Sequence, residues 1–228
     1  MKILEDVFGI KINNTEFYEK ALSHTSYTKE KNKSQLESYE RLEFLGDAVL
    51  KLTISDILFK KFPEYNEGEL SKIRSIIVSD SVLFEIVKDN NLAQLIKLGK
   101  HEEKQGCRDL ESICACAFEA LLGAFYLDGK HLELLTSLEK IFMPIIEDAQ
   151  KNSANYNAKA LLQEYTQSIN KDLPSYILKN TVGPDHKKSF VIEVLYHDEI
   201  IAQGEGKTKK EAEQMAALLA CKKFGVIK

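Results

Sequence analysis

Glu40, Glu43 and Asp47 are separated by three and four residues within Glu40-Arg-Leu-Glu-Phe-Leu-Gly-Asp-Ala-Val-Leu50. At helical spacing they share one face, a turn apart. Like charges so placed repel by ~0.2–0.5 kcal/mol per exposed pair. A divalent cation relieves that repulsion, because hard carboxylate oxygens bind it well. A solvated acidic stripe accounts for the spacing equally well. A second segment, Ser112 to Asp128, carries a single inward acid, Glu119, among Ile113, Ala117, Ala120, Leu121 and Ala124. A carboxylate in apolar surroundings is costly unless it is paired, protonated or metal-bound. Two apolar helices with inward acids point to one shared cation site, suited to metal-assisted hydrolysis of a phosphodiester.

The elements that must hold these acids are helical. Leu42, Leu45, Val49 and Leu50 recur at helical spacing, and helical periodicity continues from Glu16 to Asp148 without strand alternation. The segment Asp148–Ala158 is polar and rich in Asn, which predicts a linker. Beyond it the pattern changes. Ala158–Ile169 places Ala160, Leu161, Tyr165 and Ile169 on one helical side. Ser175–Lys179, Phe190–Tyr196 and Ile200–Glu205 read as strands, separated by turns at Gly183-Pro-Asp185 and His197-Asp-Glu199. Glu211–Phe224 returns to helix, with Ala212, Met215, Ala216, Leu219 and Ala220 as its expected inner face. The expected division is an all-α domain over residues 1–150 and an α+β domain, in the order α-β-β-β-α, over 156–228.

Length and charge agree with two domains. The chain has 228 residues, 44% of them hydrophobic, enough apolar material for two cores. Its net charge of −4 hides an asymmetry. Residues 1–155 hold 20 Lys and Arg against 26 Asp and Glu, and residues 156–228 hold 11 against 9. An acidic front runs against nucleic-acid binding, but metal ions and the mildly basic tail can supply the positive field. The four cysteines, Cys107, Cys114, Cys116 and Cys221, have neither Cys-x-x-Cys pairing nor His at zinc spacing, so reduced thiols in a cytoplasmic protein are expected. No apolar run reaches the roughly 18 residues of a membrane span, and no secretory leader is expected.

Glu40–Leu50 resembles the signature of the ribonuclease III family, the double-stranded-RNA endonucleases. Supporting matches follow in order: Ala21-Leu-Ser-His-Thr-Ser-Tyr27, Asn66-Glu-Gly-Glu-Leu-Ser71 with Arg74, Leu98-Gly-Lys100, and Glu111-Ser-Ile113 through Leu127-Asp-Gly129. The tail resembles a double-stranded-RNA-binding domain through Gly183-Pro-Asp-His186, Phe190 and Thr208-Lys-Lys-Glu-Ala-Glu-Gln-Met-Ala-Ala217. The resemblance implies Mg²⁺, with Mn²⁺ as an alternative, held by Glu43 and Glu119. It implies Asp47 as the residue that orients the attacking water, and Glu40 and Glu67 nearer the scissile step. In the tail it implies RNA contacts from Gln163, Glu164, Pro184 and His186. Lys207, Lys209 and Lys210 add positive charge at the start of the last helix, where phosphate is favoured. The implied activity leaves 5′-phosphate and 3′-hydroxyl ends and serves rRNA and mRNA precursor processing. Phe44 is implied as the residue that enters a second copy, making a homodimer.

One position departs from the family. An Asp is expected three residues before Glu119, and Cys116 stands there. A thiol is soft and mostly protonated, whereas Mg²⁺ takes oxygen ligands. Two readings therefore stand: a metal-dependent endoribonuclease, or a double-stranded-RNA-binding protein whose nuclease site is weakened or inactive.

Overall fold

The computed structural model describes residues 1–151, 158–183 and 188–227. They form two compact units, Met1–Glu147 and Asp148–Lys228.

Unit one is helical. Its helices are α1 (Lys2–Phe8), α2 (Thr15–Ala21), α3 (Thr25–Glu30), α4 (Glu40–Lys61), α5 (Glu67–Ile77), α6 (Asp80–Asp89), α7 (Lys100–Lys104), α8 (Glu111–Leu127) and α9 (His131–Lys151). Short 3₁₀ turns join several of them, and the one β-bridge among the described residues of this unit pairs Ser23 with Lys97. The local signals are conventional. Asn66 and Glu69 exchange backbone bonds of 3.0 and 2.8 Å in a capping box that starts α5. Gly9 takes a left-handed φ of 66° to end α1.

Helix α8 is the centre. Ile113, Cys114, Ala115, Ala117, Phe118, Ala120, Leu121, Leu122, Gly123, Ala124 and Phe125 are all buried. A helix apolar all round belongs inside a domain. Phe8 and Tyr18 pack on Phe125 at ring distances of 4.8 and 4.9 Å, and Phe142 meets Phe118 at 6.4 Å. Asp128, just past α8, accepts from the backbone N–H groups of Asn13 and Asn14 at 2.8 and 2.9 Å and from the Tyr18 hydroxyl at 3.0 Å. Its carboxylate thus ties the end of α8 to the start of α2.

Unit two holds α10 (Ala158–Asn170), β1 (Ser175–Val182), β2 (Ser189–Tyr196), β3 (Glu199–Gly206) and α11 (Lys209–Lys223). The antiparallel sheet has order β1-β2-β3. The turn between β2 and β3 is only His197 and Asp198, both at positive φ of 51° and 61°, which matches the twist of the flanking strands. Glu199 accordingly belongs to β3 and not to the turn. Gly204 and Gly206 let β3 lie directly on α11: a methyl built on Gly206 would sit 2.5 Å from the Ala212 nitrogen.

Three expectations need correction. Helix α9 runs to Lys151, so the polar stretch from Asp148 begins as helix; residues 152–157 lie outside the described residues. The inner face of α11 is Ala212, Ala216, Ala217, Leu218, Ala220 and Cys221, while Met215 and Leu219 are each 41% exposed. Alanines hold the part of that face where β3 approaches through glycines, at Ala212 and Ala216, leaving no room there for a larger side chain. In α10 the buried side is Ala158, Leu162 and Thr166, and Ile169 faces solvent. Thr166 can be buried because its hydroxyl donates to the Gln163 carbonyl at 3.1 Å.

Candidate active site

The acids of α4 and α8 meet because their backbones touch. A methyl group on Gly46 would overlap the Glu119 carbonyl and lie 2.9 Å from the Gly123 nitrogen; one on Gly123 would lie 3.2 Å from the Gly46 nitrogen. This glycine seam sets Glu43 and Asp47, which flank Gly46 on one side of α4, against Glu119 on α8. All three are half-buried.

Glu119 feels the consequence. Its carboxyl is pushed up to about 7 by burial and by the charges of Asp47, Glu43 and Asp80, against a smaller opposing pull from Lys51. Asp80, the first residue of α6, is the acid that sequence reading missed. Ser79-Asp80 at a helix start reads as ordinary first-turn charge, so nothing in the pattern marked it. Lys51 lies 2.8 Å from Asp47, one helical turn on, and partly neutralises it.

The set fits a hard cation through its chemistry: anionic oxygens crowd a half-buried carboxyl that charge of opposite sign would relieve. Among the described residues no three acids, histidines or cysteines stand close enough together to hold a metal ion by themselves.

Cys116 lies in the same group. Burial, followed by a hydrogen bond to Glu43 and the charges of Glu43, Glu119 and Asp80, pushes its thiol up to about 12. That shift favours the protonated thiol over the thiolate in the metal-free chain. Its other neighbour is the Tyr39 hydroxyl.

Glu40 and Glu67 are exposed and are not among the charges acting on Glu119. Glu40 accepts from Gln35 Nε2 at 2.8 Å, and Glu67 accepts from the Ser71 hydroxyl at 2.8 Å. Phe44, on the same helix as the acids, is 83% exposed.

In unit two, Gln163 and Glu164 are exposed on α10. Pro184 and His186 lie outside the described residues. Lys207, Lys209 and Lys210 are exposed around the start of α11. The helix start is capped: the Thr208 hydroxyl accepts from Glu211 N–H at 3.1 Å, and the Glu211 carboxylate accepts from Lys207 N–H at 2.8 Å. The lysine side chains add positive charge to what this end offers to phosphate.

A helical unit with paired inward acids, joined to an α-β-β-β-α unit with a basic edge, defines a nuclease that carries its own RNA-binding module. The comparisons agree. Residues 14–145 match the Ribonuclease-III-like family model, and residues 158–224 match the double-stranded RNA binding motif. Ribonuclease 3 of Desulfotalea psychrophila is 40% identical over 220 residues, 96% of this chain and 91% of that protein. Ribonuclease 3 of Listeria monocytogenes is 38% identical over 221 residues, 97% and 96% of the two chains. The solved nuclease domain of ribonuclease III from Campylobacter jejuni, described for flexibility in its region of dimer formation, is 32% identical with a TM-score of 0.56, covering 64% of this chain and 96% of that one. The chain belongs to the ribonuclease III family, and so to the metal-dependent endoribonucleases of double-stranded RNA.

Proposed function

We propose that this chain is a Mg²⁺-dependent endoribonuclease that cuts double-stranded RNA to 5′-phosphate and 3′-hydroxyl ends, in processing of rRNA and mRNA precursors in the cytoplasm. The observation that carries the reading is the raised carboxyl of Glu119 beside Glu43, Asp47 and Asp80. Glu43 and Glu119 would hold the metal, with Mn²⁺ as a substitute. When bound, the ion supplies a water of lowered pKa and shields the phosphate's developing charge. Asp47 orients the attacking water, with Lys51 holding its carboxylate across 2.8 Å. Glu40 and Glu67, exposed at the starts of α4 and α5, act nearer the scissile step.

Residues 1–150 form the nuclease domain and 156–228 the RNA-binding domain. The second domain reads the shape of A-form RNA through Gln163, Glu164, Pro184 and His186, with Lys207, Lys209 and Lys210 on the phosphates. A homodimer supplies the second set of acids that two-strand cutting needs. Exposure of Phe44 on the acid-bearing helix supports that reading.

The test is cleavage of a duplex RNA in Mg²⁺ with analysis of product ends. Cutting that vanishes on chelation and in Glu119→Gln, with duplex binding retained, is expected. A Glu119→Gln variant that cuts like the parent would place the metal elsewhere.

A further inference from the structure

Arg74 stands on α5 just past the Asn66–Ser71 motif, and the metal chemistry leaves it without a role. It shares a helix face with Glu67, two turns earlier. Its side chain reaches across to α4, where Nη1 donates to the Ser55 hydroxyl at 2.7 Å. Ser55 has one proton and commits it to the Lys51 carbonyl at 2.6 Å, so toward Arg74 its oxygen accepts. Lys51 in turn holds both Asp47 oxygens at 2.8 Å. Arg74 is thereby fixed to the acid-bearing helix two turns beyond Asp47, ~12 Å along the helix axis.

The guanidinium is uncompensated. It is half-buried, and its hydrogen bond goes to a neutral hydroxyl. Among the described residues it has no acid partner, although residues 1–155 hold 26 Asp and Glu against 20 Lys and Arg. Lys51, Lys60 and Lys61 on α4 are each paired with an acid. A half-buried charge without a counter-charge is unfavourable, and four of the five N–H donors of Arg74 are unused. A phosphate supplies both the charge and the acceptors that fit a guanidinium fork. We propose that Arg74 seats a backbone phosphate of the duplex a few nucleotides from the scissile bond. Ser55 holds one arm of the fork, which leaves the others to the RNA. Such a contact sets the register of the strand along α4 and carries no sequence information. The seat rests on Glu43, Asp47 and Glu119 as the place of cutting.

The test is the salt dependence of cleavage by the full chain, from initial rates on a duplex RNA at fixed Mg²⁺. In Arg74→Gln, kcat/KM at low salt should fall roughly tenfold, as for one lost charged hydrogen bond. The slope of log kcat/KM against log salt should shrink by about one, for the one phosphate no longer neutralised. Arg74→Lys keeps the charge and loses the fork, so it should keep the parental slope at a lower kcat/KM. A lower kcat/KM with an unchanged slope in Arg74→Gln would reduce Arg74 to a brace between α4 and α5 and overturn the inference. Should Arg74→Gln not fold, single uncharged methylphosphonates placed along the RNA strand decide. At one position near the cut, the replacement should cost the parent more than it costs Arg74→Lys. The lack of any such position would overturn the inference, while parental cleavage still stands for the acid site. A parent that cuts no duplex would overturn both.

Discussion

Gly46 and Glu119 meet backbone to backbone: no side chain at position 46 fits without displacing the Glu119 carbonyl. Gly46 sits between Glu43 and Asp47 on α4, so the glycine seam and the acid set are one feature. The obstruction is backbone, which cannot swing aside as a flexible side chain can. Gly46→Ala should therefore destabilise unit one by about 1–3 kcal/mol or more and part the two helices. Thermal unfolding checks the first effect. Mg²⁺ titration of cleavage checks the second, with a higher Mg²⁺ requirement in whatever fraction folds.

Glu119 predicts a pH dependence with a definite sign. Its carboxyl is raised from 4.5 to about 7 in the fold, so the folded state holds the proton more tightly than the unfolded state does. That contribution to stability is complete below the unfolded value and is lost as pH rises through about 7. In metal-free protein, the stability of the parent relative to Glu119→Gln should therefore fall between about pH 5 and pH 8. Mg²⁺ replaces the lost proton as counter-charge, so its stabilising effect should grow over the same interval. Calorimetric melts of both chains, with and without Mg²⁺, test this. A Mg²⁺ effect that ignores pH would remove Glu119 from the metal site. For cleavage, Glu119→Gln should cost on the order of 10²-fold or more, because the metal's charge stabilisation is worth several kcal/mol.

The acids of α4 and α8 were legible because charge at three- and four-residue spacing in an apolar helix is a local pattern. Asp80 was not, since it comes from a third helix and its sequence context is that of any helix start. The glycine seam was also hidden: a glycine within a helix looks like a cost until the opposing backbone is known. The face of α11 was misread for a related reason. Side-chain size suggested Met215 and Leu219 for the core, but glycines in β3 draw the sheet so close that alanines fill the face opposite them.

Cys116→Asp restores an oxygen ligand but adds a fourth close carboxylate beside Glu43, Glu119 and Asp80. Without metal the variant should be less stable than the parent at neutral pH, by the like-charge repulsion it adds. With Mg²⁺ it should overtake the parent, cutting duplex RNA at lower Mg²⁺ concentrations. Melting curves and initial rates across a Mg²⁺ series separate the two effects. An Asp variant that gains nothing in rate would show that the thiol is no handicap.

Lys209 and Lys210, exposed at the start of α11, supply charge to the RNA backbone rather than sequence readout. Changing both to Ala should weaken duplex binding for every sequence alike. The slope of log affinity against log salt should shrink by about two, one for each phosphate that a lysine no longer neutralises. Fluorescence anisotropy at several salt concentrations measures this. An unchanged slope would show that these lysines do not touch the RNA backbone, whatever happened to affinity.

Phe44 is 83% exposed, and Leu52 and Phe59, each 72% exposed, lie two and four turns further along the same face of α4. A monomer gains nothing from an apolar stripe in water. Two copies related by a twofold axis would bury both stripes in a self-complementary interface. The acids Glu43 and Asp47 sit beside Phe44 on this helix, so such an interface would bring two acid sets near one another. Losing a buried Phe costs about 3–5 kcal/mol, and every 1.4 kcal/mol is about tenfold in a dissociation constant. Phe44→Ala should therefore move the dimer midpoint by about two orders of magnitude or more, read by sedimentation across a concentration series. Cleavage should change from paired cuts toward single-strand nicks as the monomer accumulates. A parent chain that remains monomeric at micromolar concentration would show that the stripe on α4 serves some other partner.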